Sequence, residues 1–170
     1  SEDDSTLFVS TAGSDKLITI DADSGVVLGR VAVDATPRGV AVISANDGSP
    51  IQAWVLNAVE NTVSLVDVST TSNPRLVDTV VLEDPTEPVI KRGRKAFETA
   101  RASTTGTFSC ASCHPDGHTD QLVWVLETPI VTRGDQIQPR ITMPIRGLRD
   151  TEPYHWDGIP GDPYGGVNAA

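Results

Sequence analysis

An internal repeat constrains this chain more than any other feature. Leu7-Phe8-Val9 recurs as Ala53-Trp54-Val55, and Leu17-Ile18-Thr19-Ile20-Asp21 recurs as Val63-Ser64-Leu65-Val66-Asp67, both at an offset of 46 residues. Asp15-Lys16 falls on Asn61-Thr62, a turn position in each copy. The short β-branched runs are broken by Gly, Asn, Asp or Ser, as in antiparallel strands joined by hairpins. Val26-Val27-Leu28 and Val31-Ala32-Val33 add strand to the first copy. Leu76-Val77 and Val80-Val81-Leu82 do the same in the second.

A period in the forties with about four strands per copy is the pattern of a β-propeller blade. Residues 1–88 therefore read as two propeller-like blades, approximately 6–45 and 52–88. In each copy a strand and a turn lead to a strand ending in Asp. Thr36-Pro37-Arg38-Gly39-Val40-Ala41-Val42 then leads into the next blade. Over about residues 6–88 this resembles the YVTN type of propeller repeat. Propellers close with about four blades or more. Two copies imply part of a larger propeller, completed by further sequence or by another chain. The alternative is a small β-sandwich of similar hairpins.

Asp84-Pro85-Thr86-Glu87-Pro88 breaks the pattern and reads as a linker, because proline disfavours helix and removes a ladder donor. Charge changes there as well. Residues 1–88 hold fourteen acids and four bases, and residues 89–170 hold nine of each, so the net charge of −10 sits in the first part. Such acidity argues against a nucleic-acid partner. No apolar run is long enough for a membrane span. Two cysteines exclude a disulfide-rich scaffold.

Both cysteines lie in Cys110-Ala111-Ser112-Cys113-His114, the C-x-x-C-H sequence of c-type haem attachment. Two thiols at this spacing can add to the two vinyl groups of neighbouring pyrroles, and the adjacent imidazole can bind the iron beneath. A thioredoxin-like motif needs a βαβ context that the sequence lacks. A zinc site needs two further ligands at familiar spacing. A disulfide across two residues is strained.

The surroundings carry a second resemblance. Ile90 to Arg101 reads as a helix with Gly93 and Phe97 on one face and Lys91, Arg92, Arg94, Lys95 and Arg101 around the rest. A Gly-x-x-x-Phe helix before C-x-x-C-H resembles the N-terminal helix of the class I cytochrome c fold. That resemblance implies close crossing of a later helix at Gly93 and ring packing by Phe97. Downstream stand Pro144-Ile145-Arg146-Gly147-Leu148 and Tyr154-His155-Trp156-Asp157-Gly158. They resemble the C-terminal signature of the bacterial di-haem cytochrome c peroxidase and MauG superfamily. Ile145 replaces the family's usual leucine, and His155-Trp156 departs from its usual order. The likeness covers about residues 90–160 and implies a mainly α, cytochrome c-like haem domain over 89–170. The expected fold is therefore mixed: antiparallel β followed by mainly α.

His114 is the expected proximal ligand of one covalent haem c. For the distal position, His118 is too near to wrap the ring edge, since four residues span at most about 14 Å. Met143 follows His114 by twenty-nine residues, is the sole methionine and precedes Pro144. A thioether suits ferrous iron. Core packing is its other reading. His155 is the alternative distal ligand. Phe97 and Trp124 are candidate ring-packing aromatics or plain core residues. Arg146, with Arg140 and Arg149, is a candidate propionate partner or a solvated cation. Asp157 and Asp162 lie in a Gly- and Pro-rich loop that could hold calcium, though a plain turn is the commoner outcome.

Two functions follow. With His/Met ligation the chain is an electron-transfer module, serving a redox partner protein or other subunits of a respiratory or electron-transfer assembly. As a fragment of a peroxidase-like di-haem enzyme it would need an open iron position and a second haem, yet one C-x-x-C-H is present. Haem c chemistry implies a periplasmic or otherwise extracytoplasmic location, with a targeting segment outside this sequence.

Overall fold

The computed structural model describes residues 1–103, 105–127, 137–149, 151 and 154. Among the described residues, nine strands form three antiparallel sheets. β1 (Thr6–Thr11), β2 (Lys16–Asp21) and β3 (Val27–Ala32) make a three-stranded sheet in that order. β4 (Pro37–Ser44), β5 (Pro50–Asn57), β6 (Thr62–Asp67) and β7 (Arg75–Val81) make a four-stranded sheet. β8 (Val123–Glu127) pairs with β9 (Ile137–Ile141). Packing divides the chain into a unit Ser1–Cys110 and a unit that begins at Ala111. The division falls downstream of the composition break at 84–88.

The repeat has a structural counterpart in the first unit. Asp15 and Asn61, at equivalent turn positions, both adopt positive φ, 55° and 60°. Short polar side chains tolerate that region better than most. The strand-ending acids are also equivalent. Oδ1 of Asp21 accepts from N and Oγ of Ser24 at 2.8 and 2.6 Å. Oδ1 of Asp67 accepts from N and Oγ of Ser69 at 2.9 and 2.7 Å. Each acid closes the turn after its strand, and the serine hydroxyl and amide hold both carboxyls below their usual value.

The core lies between the two sheets. Leu17 is buried with Ala53, Val55, Val66 and Val68, and Phe8, Val31, Val33 and Val40 pack against them. Alternation decides which residues point inward: Thr62, Ser64 and Val66 of β6 are buried while their neighbours are half-buried. Gly29 marks the closest approach. A Cβ there would lie 2.5 Å from Cδ of Pro74 and 2.8 Å from the Thr71 carbonyl oxygen. Thr19 Oγ1 donates to that same oxygen at 2.6 Å.

α1 (Pro88–Glu98) opens on Pro88, whose missing N–H costs nothing at a helix start. It buries no residue of its own and is held to the first unit by charge. Lys91 Nζ lies 2.9 Å from Asp84 Oδ2 and 3.3 Å from Glu60 Oε1, and it donates to the Glu60 carbonyl oxygen at 2.8 Å. Lys95 pairs with the other oxygen of Glu60, and Arg38 pairs with Glu98 at 2.9 Å. The Ala100 amide donates to the Gly13 carbonyl at 2.8 Å. Lys91 holds Asp84 down at about 2, helped by the Thr86 amide. Lys95 first, then Lys91, lowers Glu60 against the opposing effect of burial.

The mainly α, cytochrome c-like domain expected over 89–170 is not what the chain builds. Among the described residues, two α-helices occur, α1 and the four-residue α2 (Cys110–Cys113), against nine strands. Local chemistry explains the difference. Val123-Trp124-Val125 is β-branched and aromatic, favouring strand, and Pro139 and Pro144 each remove a donor that a helix interior requires. Pro139 is accommodated because β9 is an edge strand. The later helix implied to cross at Gly93 is not found there: a Cβ at Gly93 would meet no atom within 4 Å.

Candidate cofactor-attachment site

α2 is one helical turn, and it carries both thiols three positions apart. That spacing puts side chains on one side of a helix. Cys110 is exposed and Cys113 half-buried, and both are reduced. His114 leaves the turn at φ −116°, ψ 64°. Its Nδ1 lies 3.4 Å from the His118 carbonyl oxygen. The Nδ1–H tautomer satisfies that contact and leaves the Nε2 lone pair for a metal. His118, read from the sequence as a loop residue, meets His114 through its backbone.

The chain then reverses tightly. Pro115–Gly117 is a 3-10 turn with Asp116 at φ 51° and Gly117 at φ 77°. The Gly117 amide donates to the His114 carbonyl, His118 to Pro115, and Asp120 to Cys113, at 3.0, 2.9 and 3.1 Å. Glycine is required at 117 for its φ, and a Cβ there would also lie 3.3 Å from Cγ of Arg146.

A distant segment is tied to this loop. Arg146 donates from Nε and Nη2 to the Asp116 carbonyl oxygen at 3.1 and 2.9 Å. The Ile145 amide donates to the Gly117 carbonyl at 3.0 Å. Thr119 Oγ1 donates to the Thr142 carbonyl at 2.7 Å, and the Thr142 amide to the Leu122 carbonyl at 3.2 Å. Met143 thus sits between two anchors, Thr142 and Ile145, whose partners all lie within eight residues of His114. Its side chain is 45% exposed. Arg146 acts in this structure as a fastener of the loop.

Trp124, on β8, donates from Nε1 to Asp120 Oδ2 at 2.8 Å, while Asp120 Oδ1 accepts from the Leu122 amide at 3.0 Å. Burial pushes the Asp120 carboxyl up, but the hydrogen bonds from Leu122, Thr142 and Trp124 outweigh it and leave it below its ordinary value. Val123, Val125 and Ile141 share one face of the β8–β9 hairpin and are 60%, 62% and 59% exposed. Phe97 is half-buried on α1 in the first unit. His155, Asp157 and Asp162 lie outside the described residues.

Reasoning from residue types alone passes over Thr119, Asp120 and Thr142, since none is a metal ligand by habit. The signal that could have found their loop is Asp116-Gly117, a turn dipeptide directly after the motif. Among the described residues, no three His, Cys, Asp or Glu side chains gather as a metal site. No helix among them is long and apolar enough to cross a membrane.

No family model matches the chain, and no curated protein matches it. One solved structure with similarity is hydrazine synthase from Kuenenia stuttgartiensis, 32% identical over 49% of this chain, with a TM-score of 0.41. The matched part spans 22% of that chain.

Proposed function

We propose that Cys110 and Cys113 hold one covalent c-type haem, and that the chain transfers single electrons outside the cytoplasm. The partner would be a redox protein or other subunits of an electron-transfer assembly. The observation that carries this reading is Cys110-x-x-Cys113-His114 on a single helical turn, with the imidazole following the second thiol. Both sulfurs are thiols, as addition to vinyl groups requires. Each thiol would supply both its sulfur and its hydrogen to one vinyl group, so that attachment would need no oxidant.

The group would supply a one-electron iron couple. The chain's own residues do the rest. His114 would offer Nε2 to the iron, with its ring oriented by the His118 carbonyl. Met143, in a segment fastened at Thr142 and Ile145, would offer its thioether to the iron. The second unit's exposed Val123, Val125 and Ile141 add support. A two-stranded hairpin is marginal by itself, and a tethered porphyrin would supply apolar area that the unit's described side chains do not bury. The repeat-bearing first unit, acidic and similar to YVTN-type repeats, would serve as the docking platform.

The test is expression in a host competent for haem c assembly. Mass measurement on the denatured chain should show one added tetrapyrrole. Absorption should be low-spin, with a weak far-red sulfur-to-iron band and no binding of cyanide or carbon monoxide. A chain of unmodified mass ends the haem reading. A high-spin spectrum that binds those ligands replaces electron transfer with the peroxidase-like alternative.

A further inference from the structure

The repeat makes a statement about surfaces as well as strands. In the first sheet, Phe8, Ser10, Leu17 and Thr19 share one face. That face packs on the second sheet, burying Leu17 and Thr19. Moved by 46 residues, these positions become Trp54, Leu56, Val63 and Leu65. They share one face of the second sheet, and it is the face turned away from the core. By strand register, at an offset of 49, Val31, the cross-strand partner of Leu17, corresponds to Val80, the cross-strand partner of Val63. The copy on the second sheet is the more apolar of the two, yet Trp54, Leu56 and Val80 are 36%, 43% and 45% exposed.

The reverse mapping holds too. Ala53, Val55, Ser64 and Val66 form the second sheet's buried face. Moved back by 46, they become Leu7, Val9, Ile18 and Ile20, on the outer face of the first sheet. There Leu7 is 52% and Val9 38% exposed. Each outer face is therefore the repeat-equivalent of a face that is buried within the same chain. A head-to-tail contact of this kind does not use itself up: each added sheet buries one face and presents the next.

We propose that the outer face of the second sheet, centred on Trp54 and Leu56, docks the outer face of the first sheet of a second copy, centred on Leu7 and Val9. The contact repeats the one already made inside the chain. The occupant is a second copy because the two outer faces match each other by the chain's own repeat. A sheet meeting its own like face would instead oppose Trp54 to Trp54. The contact is heterologous, so association continues into a closed ring or an open stack.

The experiment is sedimentation velocity of the full 170-residue chain across a concentration series, alone and as Leu7→Asp and Leu56→Asp variants. The mutated side chains are exposed, so far-UV circular dichroism should stay that of the parent. The parent should associate in a concentration-dependent manner. Each variant alone should be monomeric, its association weakened at least about thirtyfold. An equimolar mixture of the two should form a discrete dimer, since one intact face remains on each. Should either variant misfold, Val9→Lys and Trp54→Lys probe the same two faces. A monomeric parent at all concentrations overturns the proposal. So does a Leu7→Asp variant that associates like the parent, which would mean like faces pair, or a mixture that stays monomeric.

Discussion

The two units reach order by different routes. In Ser1–Cys110 the buried apolar side chains Leu17, Ala53, Val55, Val66 and Val68 form one cluster between two sheets, and β2, β5 and β6 follow the hydrophobic alternation. Among the described residues after Ala111, the buried side chain is Thr142, a polar one. That unit is held by hydrogen bonds between the 114–122 loop and the 142–146 segment. A net hydrogen bond contributes about 1 kcal/mol, whereas a fully buried Leu or Val contributes about 1.5–3 kcal/mol. The first unit can stand on burial. The second stands to gain most from a covalently attached apolar group.

Removing the attachment is the harshest way to break this comparison. The double variant Cys110→Ser, Cys113→Ser should lose all covalently bound tetrapyrrole, read by mass. Amide hydrogen exchange should then become fast after Ala111 while β2, β5 and β6 stay protected. Equal loss of protection in both units would show that they are one cooperative structure.

A core deletion attacks the other side. Leu17→Ala should destabilise the first unit by about 3–5 kcal/mol, seen as a lower urea midpoint by far-UV circular dichroism. If the proposed haem is attached, its spectrum should persist at urea concentrations where the first unit has unfolded. Met143→Leu should abolish the far-red band and lower the reduction potential by on the order of 0.1 V, since axial ligation sets potential over a wide range. An unchanged spectrum would remove Met143 as ligand.

The mildest perturbation is acid. Asp84 is held at about 2 against an ordinary 3.8, so its contribution to docking α1 is complete above 3.8 and fades as pH falls towards 2. Lys91 is raised by Asp84 first and then by Glu60, so its share is present below its ordinary 10.5 and fades as pH rises beyond. The α1 clamp is therefore whole between about pH 4 and pH 10. Protection of the α1 amides, taken relative to their intrinsic exchange rate at each pH, should fall below pH 4, and Asp84→Asn should flatten that acid limb. An acid limb unchanged in Asp84→Asn would remove Asp84 from the clamp.

Strand positions in the first unit were legible because alternation and turn chemistry are local. Asp21 and Asp67 do their work within a few residues of themselves, on Ser24 and Ser69, and Asp15 and Asn61 mark their turns by positive φ although their side chains reach on to Thr36 and Glu83. The short runs read as separate strands, such as Val26-Val27-Leu28 and Val31-Ala32-Val33, merged into β3 (Val27–Ala32). The intervening Gly29 does not break a strand when its lack of a side chain admits Pro74. The mainly helical second unit was misjudged because the likeness to cytochromes rests on few residues. Between those residues, Val123-Trp124-Val125 and two prolines favour extended chain.

Residue identity alone determined the repeat of 46, its turn acids, and the pairing of two thiols with the following imidazole. The turns and the thiol–imidazole motif depend on neighbours within a few positions along the chain, and the repeat is a comparison of residue types that needs no contact. The tertiary structure decided that Arg146 fastens the Asp116 carbonyl, that Met143 lies between anchors to the His114 loop, and that α1 is clamped by Glu60 and Asp84. These contacts join residues some twenty to thirty-five positions apart, except the Asp84–Lys91 pair. Their geometry depends on how the chain turns at Asp116-Gly117 and packs at the sheet ends, and no local pattern encodes that.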